Sequence, residues 1–230
     1  MRSLGNRMSA DHAATAGEMN MDRTEAQALI EDAAKEFDNG LGWSLLYCPW
    51  ANLSKSEVAL ITLNPAGHER STGVSVEEGS AFVHQDWLGK GVGRESLQLQ
   101  VKQLCDIAAV DPDEMLAGCL VPFRSPSWAE LPRREEALRF GVSLWRKLLG
   151  DRRPRLTFTL GDVAYQQIHA IFGAGATKMA PSGWGKIYIS ASDYPGGRLV
   201  GLPHLSHYKL FSDNSPGLER RKILEEILSA

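Results

Sequence analysis

The stretch ALITLNPAGHERS, Ala59–Ser71, begins as an apolar, β-branched run and breaks at Asn64-Pro65-Ala66-Gly67. With Glu57 and Val58 in front it reads EVALITL, the near-continuous apolar pattern of a strand buried on both faces of a parallel sheet. Asn, Pro and Gly are the residues that turns use, because they pre-set or relax the backbone dihedrals. A strand that leaves through this turn carries an amide side chain to its carboxyl end, where open α/β sheets hold their ligands.

Outward from that strand, MLAGCLVPF (Met115–Phe123) predicts a second buried strand ended by Pro122, and RLTFTL (Arg155–Leu160) a third. KIYISASD (Lys186–Asp193) and GRLVGLPH (Gly197–His204) predict two more. Between them lie helical stripes. Ala26, Leu29, Ile30, Ala33 and Phe37 recur at helical spacing behind a Thr24/Gln27 capping box, with Asn39-Gly40 as the stop. Ser96–Ala109 turns Leu97, Val101, Leu104 and Ala108 inward, Arg133–Leu149 turns Ala137, Val142, Trp145 and Leu148 inward, and Gly161–Phe172 follows the third strand. SPGLERRKILEEIL closes the chain as a helix with Ser215 as N-cap and Pro216 at its first position.

This alternation predicts a single-domain three-layer α/β/α sandwich with a mainly parallel central sheet over residues 23–230, preceded by a flexible tail over residues 1–22. A chain of 230 residues suits one such domain, and 43% apolar with 23% charged residues is an ordinary globular composition. No run approaches the ~20 apolar residues of a membrane span, and the N-terminal sequence lacks the apolar core of a secretion signal, so a cytoplasmic protein without a membrane partner is expected. Cys48, Cys105 and Cys119 are odd in number and lack ligand spacing, which predicts free thiols and no metal.

A net charge of −3 argues against coating nucleic acid by bulk electrostatics. The distribution is more specific. Between Asp193 and Asp213 there is no acid, while Arg198, His204, His207 and Lys209 fall inside; between Glu114 and Glu130 the only charge is Arg124. A locally basic rim beside the strand ends is expected. The positions just after the strands are Asn64–Gly67, Pro122–Ser125, Gly161-Asp162 and Pro203–His207.

TLNPAG (Thr62–Gly67) and HLS (His204–Ser206), in that order at the first and last strand ends, resemble the two motifs of the uracil-DNA glycosylase superfamily, G-x-N-P-G and H-P-S. GSAF (Gly79–Phe82), LVPFRSPS (Leu120–Ser127) and Leu160-Gly161 extend the similarity from Glu57 to the C-terminus. The mismatch-specific and single-strand-selective members are closest in motif type. The resemblance implies a monofunctional glycosylase that hydrolyses the N-glycosidic bond of uracil or a related deaminated base in DNA, leaves an abasic site, and needs no metal or cofactor. It implies that Asn64 orients the attacking water and that His204, as neutral imidazole, donates to the base oxygen. Pro65, Gly67 and Phe82 would bound the base, with Phe82 stacking on it. Arg124, Ser206 and Lys209 would hold phosphates, and Leu205, Tyr208 or Leu210 would wedge into the vacated stack.

The chain departs from the pattern at Ala66 and Leu205, which replace Gly and Pro, and at Cys119, aligned with the pyrimidine-reading Asn of many members. A thiol cannot present an amide's paired donor and acceptor. A non-catalytic nucleic-acid or nucleobase-binding protein on the same fold is the alternative, and a hydrolase of free nucleosides or nucleotides a third. A monomer is expected, with damaged DNA as partner.

Overall fold

The computed structural model describes residues 21–230, so the tail expected over residues 1–22 lies outside them apart from Met21 and Asp22. Asp22 belongs to the first helix, α1 (Arg23–Glu36). Its carboxylate accepts from the Glu25 amide at 2.8 Å and its own amide donates to the Glu25 carboxylate at 3.1 Å, so the capping box is Asp22/Glu25 and not Thr24/Gln27. Ala26, Ile30, Ala33 and Phe37 are buried as expected, whereas Leu29 is 40% exposed and leaves the stripe. The helix stops at Glu36, ahead of the predicted Asn39-Gly40 stop.

Two short elements with no sequence signal follow, β1 (Gly42–Ser44) and α2 (Asn52–Lys55). Then come β2 (Val58–Thr62), β3 (Ser71–Gly73), the single-turn α3 (Ala81–His84) and α4 (Ser96–Ala108). β4 (Leu116–Cys119) is shorter than the predicted Met115–Phe123, although Leu120–Phe123 stay buried beyond it. α5 (Arg134–Leu149), β5 (Leu156–Leu160) and α6 (Asp162–Phe172) fall where the sequence placed them. β6 (Lys178–Pro181), β7 (Tyr188–Tyr194), β8 (Gly197–Leu202) and α7 (Ser215–Ser229) complete the chain. Asn214, not Ser215, is the N-cap of α7: its side chain accepts from the Gly217 amide at 3.0 Å.

The main sheet has the order β4-β2-β5-β8-β7-β6. β4, β2, β5 and β8 run parallel, and β7 and β6 extend the β8 side antiparallel. Every residue of β2, β4 and β5 is buried, as strands covered on both faces must be. The connection from β2 moves one way along the sheet to β4 and that from β4 moves back past β2 to β5. Right-handed crossovers therefore put α4 on one face and α5 on the other, with α6 packed beside α5 and α7 beside α4. The fold is thus α/β, with helices on both faces of a mainly parallel mixed sheet.

α5 lies close on the β4 side: the buried Trp145 indole donates to the Cys119 carbonyl at 2.8 Å, and a Cβ on Gly141 would stand 2.2 Å from the Leu120 carbonyl oxygen. Beyond the sheet β1 and β3 form a parallel ribbon, pairing Gly42 with Ser71 and Ser44 with Gly73. It anchors the segment that follows the Asn-Pro-Ala-Gly turn. No helix among the described residues is long and apolar enough to cross a membrane.

Candidate active site

A cavity of about 780 Å³ opens beyond the carboxyl ends of β2 and β8. Its lining includes the polar residues Thr62, Asn64, Arg124, His204 and Ser206 and the aromatic residues Tyr47, Phe82 and Trp87. A second cavity of about 450 Å³ lies at the other end of the strands, around Arg155 and Arg198, and holds none of the expected site residues. The position of Asn64 and His204 in the first, at strand ends where α/β folds bind ligands, makes it the candidate site.

The Asn64 amide has a determined orientation. Its Nδ2 donates to Ser125 Oγ at 2.9 Å, the Pro65 carbonyl at 3.2 Å and the Phe123 carbonyl at 3.4 Å. Ser125 Oγ gives its own proton to the Ser127 carbonyl at 2.8 Å, so toward Asn64 it is an acceptor. A flipped amide would set an oxygen against three acceptors. Oδ1 accordingly keeps its lone pairs for whatever occupies the cavity.

The turn itself is stitched to the loop after β4. The Ser125 amide donates to the Pro65 carbonyl at 3.2 Å, the Gly67 amide to the Ser125 carbonyl at 3.2 Å, and Arg124 Nη1 to the Ala66 carbonyl at 2.5 Å. Gly67 has φ +129°, and a Cβ there would stand 2.9 Å from Arg124 Nη1, so this glycine is required. Arg124, expected on phosphate, lines the cavity and braces the turn through its Nη1. Ala66 is exposed at the cavity wall, whereas Pro65 is buried and does not line it.

His204 follows β8, half-buried, with Nδ1 2.7 Å from Ser206 Oγ. Ser206 Oγ also lies 3.2 Å from Nδ1 of His207, whose ring meets that of His204 edge-on at 5.3 Å. Burial, and secondarily the nearby His207, push the His204 pKa below the usual imidazole value, which favours the neutral ring. Ser206, expected on phosphate, thus has its hydroxyl engaged between two imidazoles. Lys209 is exposed and stands outside the cavity lining.

Phe82 lines the cavity but is 0% exposed. Tyr47 and Trp87 cover it, at ring centroid distances of 5.7 and 5.2 Å. The aromatic wall is therefore a group of rings with Phe82 behind. Tyr47 and Trp87 had no motif to mark them. Cys119 does not reach the cavity: it is fully buried beneath the floor, its thiol donating to the Tyr47 hydroxyl at 3.3 Å and lying 3.2 Å from Thr62 Oγ1. Burial pushes that thiol up to about 11, so it is neutral. All three cysteines are buried and unpaired.

The expected basic rim is corrected in two respects. Arg198 sits at the start of β8, at the far end of the sheet, bonded to Asp193 Oδ1 at 2.7 Å and the Ile227 carbonyl at 2.6 Å. The cavity lining also carries Glu69, Glu78, Asp86 and Glu95 beside Arg70 and Arg124, so its charge is mixed. Gly161-Asp162 lies outside the lining. No protein-family model matches the chain, and no curated protein matches it.

Proposed function

We propose that the protein is a monofunctional DNA glycosylase of the uracil-DNA glycosylase type, releasing uracil or a related deaminated base. The observation that carries this reading is the pairing, in one cavity, of an Asn64 amide whose acceptor oxygen alone is unspent with a half-buried His204 whose Nε2 has no protein partner among the described residues.

In this mechanism Asn64 Oδ1 accepts a hydrogen bond from a water and holds it toward the sugar C1′. The glycosidic C–N bond breaks with its electron pair going to the base, the water oxygen bonds C1′, and the proton that water sheds passes to solvent while the released base anion takes one up from solvent, giving an abasic hemiacetal and the neutral free base. His204 Nε2–H donates to the base carbonyl oxygen as negative charge develops, the form of stabilisation that costs least when the donor is already in place. An amide orients a water but does not strongly deprotonate it, so the chemistry is slow relative to a carboxylate at the same position. Among the described residues no lysine lines the cavity, which fits hydrolysis without a Schiff base and without strand scission.

The test is alkali cleavage of labelled single-stranded and mismatched duplex oligonucleotides carrying one uracil, hypoxanthine or xanthine, with protein from a host lacking its own glycosylases. Base release that falls about 10²-fold or more in His204→Ala is expected. Binding without release by either protein would replace this reading with the non-catalytic one.

A further inference from the structure

We infer that Leu88 enters the stack of a nucleic-acid duplex and fills the place of the nucleotide whose base occupies the Asn64–His204 cavity. This rests on the glycosylase reading. The side chains expected to do so are otherwise engaged. Leu205 and Leu210 are core residues, 0% and 1% exposed, and Tyr208 is half-buried with its ring edge-on to Trp184 at 6.2 Å.

Leu88 is 81% exposed, the most exposed large apolar side chain among the described residues, and it lies on the rim of the cavity that Asn64 and His204 share. Its φ is +59°, a left-handed conformation that β-carbon sterics disfavour. Such a conformation persists where the surroundings fix it, and here they do. The loop from Gln85 to Arg94 is closed at its base by the Gly93 amide and the Gln98 side chain, which donate to the Gln85 carbonyl at 3.0 and 2.8 Å. Asp86 bridges to Val92 and accepts from the Gly91 amide at 2.9 Å. Trp87 turns inward against Phe82 and anchors the tip, leaving Leu88 outward.

Two cations of this loop are free to meet the phosphates of a ligand. Lys90 and Arg94 are exposed and make no ion pair among the described residues. The two carboxylates nearby are occupied by backbone amides, Asp86 by Gly91 and Glu95 by Leu97. An exposed apolar tip on a loop that also carries free cations is the form of a minor-groove or stack-inserting wedge.

The probe is a duplex oligonucleotide carrying a tetrahydrofuran abasic-site analogue beside 2-aminopurine, titrated with full-length protein, and the same strand without its complement. Wild type is expected to raise the 2-aminopurine fluorescence of the duplex as the neighbouring base unstacks. Leu88→Ala should bind the duplex about tenfold more weakly, without the fluorescence rise, and bind the single strand as wild type does. Leu88→Met should recover most of the duplex affinity. Unchanged duplex binding by Leu88→Ala, or equal loss on both probes, overturns the wedge. If wild type and Leu88→Ala release uracil equally from single and double strands, the wedge fails while the glycosylase reading stands. Absence of wild-type binding to either probe overturns both.

Discussion

Ser206 Oγ lies 2.7 Å from Nδ1 of His204, and this contact decides which nitrogen of the imidazole carries the proton. The hydroxyl has one proton to give. If it donates to His204 Nδ1, the ring is the Nε2–H tautomer that can donate into the cavity, and Ser206 then accepts from His207 Nδ1–H at 3.2 Å. Histidine-selective ¹⁵N NMR should find His204 Nδ1 unprotonated in wild type. Ser206→Ala should give a mixture of tautomers and about tenfold slower base release, within the range for a positioned proton donor. A protonated Nδ1 in wild type would overturn this assignment whatever the activity.

The pH dependence follows from the lowered pKa of His204. Because the folded value lies below the unfolded value of about 6.5, the unfolded chain takes up the proton first as pH falls. The associated stability is fully present above pH ~6.5 and is lost as pH falls through that value toward the folded pKa. Base release by the neutral ring should persist below pH ~6.5 before it declines. His207→Phe keeps a ring beside His204 but removes the repelling imidazolium, so the acid limb should move upward, toward the ordinary histidine value. A limb that stays in place would exclude coupling between the two rings.

Asn64→Asp is the substitution that stronger base chemistry would favour, and the geometry predicts that it fails. The new oxygen at the Nδ2 position would face Ser125 Oγ and the Pro65 and Phe123 carbonyls, all acceptors in the present arrangement. The expected loss is about 1–3 kcal/mol at neutral pH, shrinking as the pH falls and the carboxyl regains a donor. Thermal melts of the two proteins across pH would show it. A faster, equally stable Asn64→Asp enzyme would mean that Ser125 re-orients freely.

Those acceptors also mark the limit of what the sequence discloses. β2 and β5 were readable because five consecutive buried residues leave an apolar run, and α5 because Ala137, Trp145 and Leu148 repeat with the helix. β1 and β3 are three residues each, held by pairing across the chain, and β6 is an edge strand with largely exposed residues. Nothing local encodes them. Asn64 and His204 stood out because each follows a strand at its carboxyl end. Tyr47 and Trp87 reach the same cavity only through tertiary packing. Arg198 lies away from the rim because charge alone does not carry a strand's direction: the four strand steps from Arg198 to Leu202 already cover about 13 Å before the chain reaches His204.

Arg124 and Lys209 were both expected on phosphate, and the structure separates them. Arg124 Nη1 donates to the Ala66 carbonyl, while Lys209 is exposed and without an ion pair among the described residues. Arg124→Ala should therefore lower stability by about 1–3 kcal/mol and slow base release by loosening the turn, with the salt dependence of DNA binding unchanged. Lys209→Ala should leave the melting temperature alone and reduce the slope of log affinity against log salt by about one. Titrations at several salt concentrations beside melting curves distinguish the two. The reverse pattern would return Arg124 to the phosphates.

Tyr47 should read the base edge that Cys119 was expected to read. Its hydroxyl accepts from the Cys119 thiol at 3.3 Å, which leaves the phenolic proton without a protein acceptor among the described residues, and burial raises its pKa well above the usual tyrosine value, so that proton is retained. A donor in this wall favours a carbonyl at the facing base edge and disfavours the exocyclic amine of cytosine, because two donors cannot pair. Tyr47→Phe should lower uracil release about tenfold and narrow the uracil-to-cytosine ratio, whereas Cys119→Ala should leave that ratio nearly unchanged. Competition assays on otherwise identical uracil- and cytosine-containing strands decide it. If Cys119→Ala narrows the ratio as much as Tyr47→Phe, the thiol acts on selectivity through the hydroxyl it supports, and the edge is read by the pair.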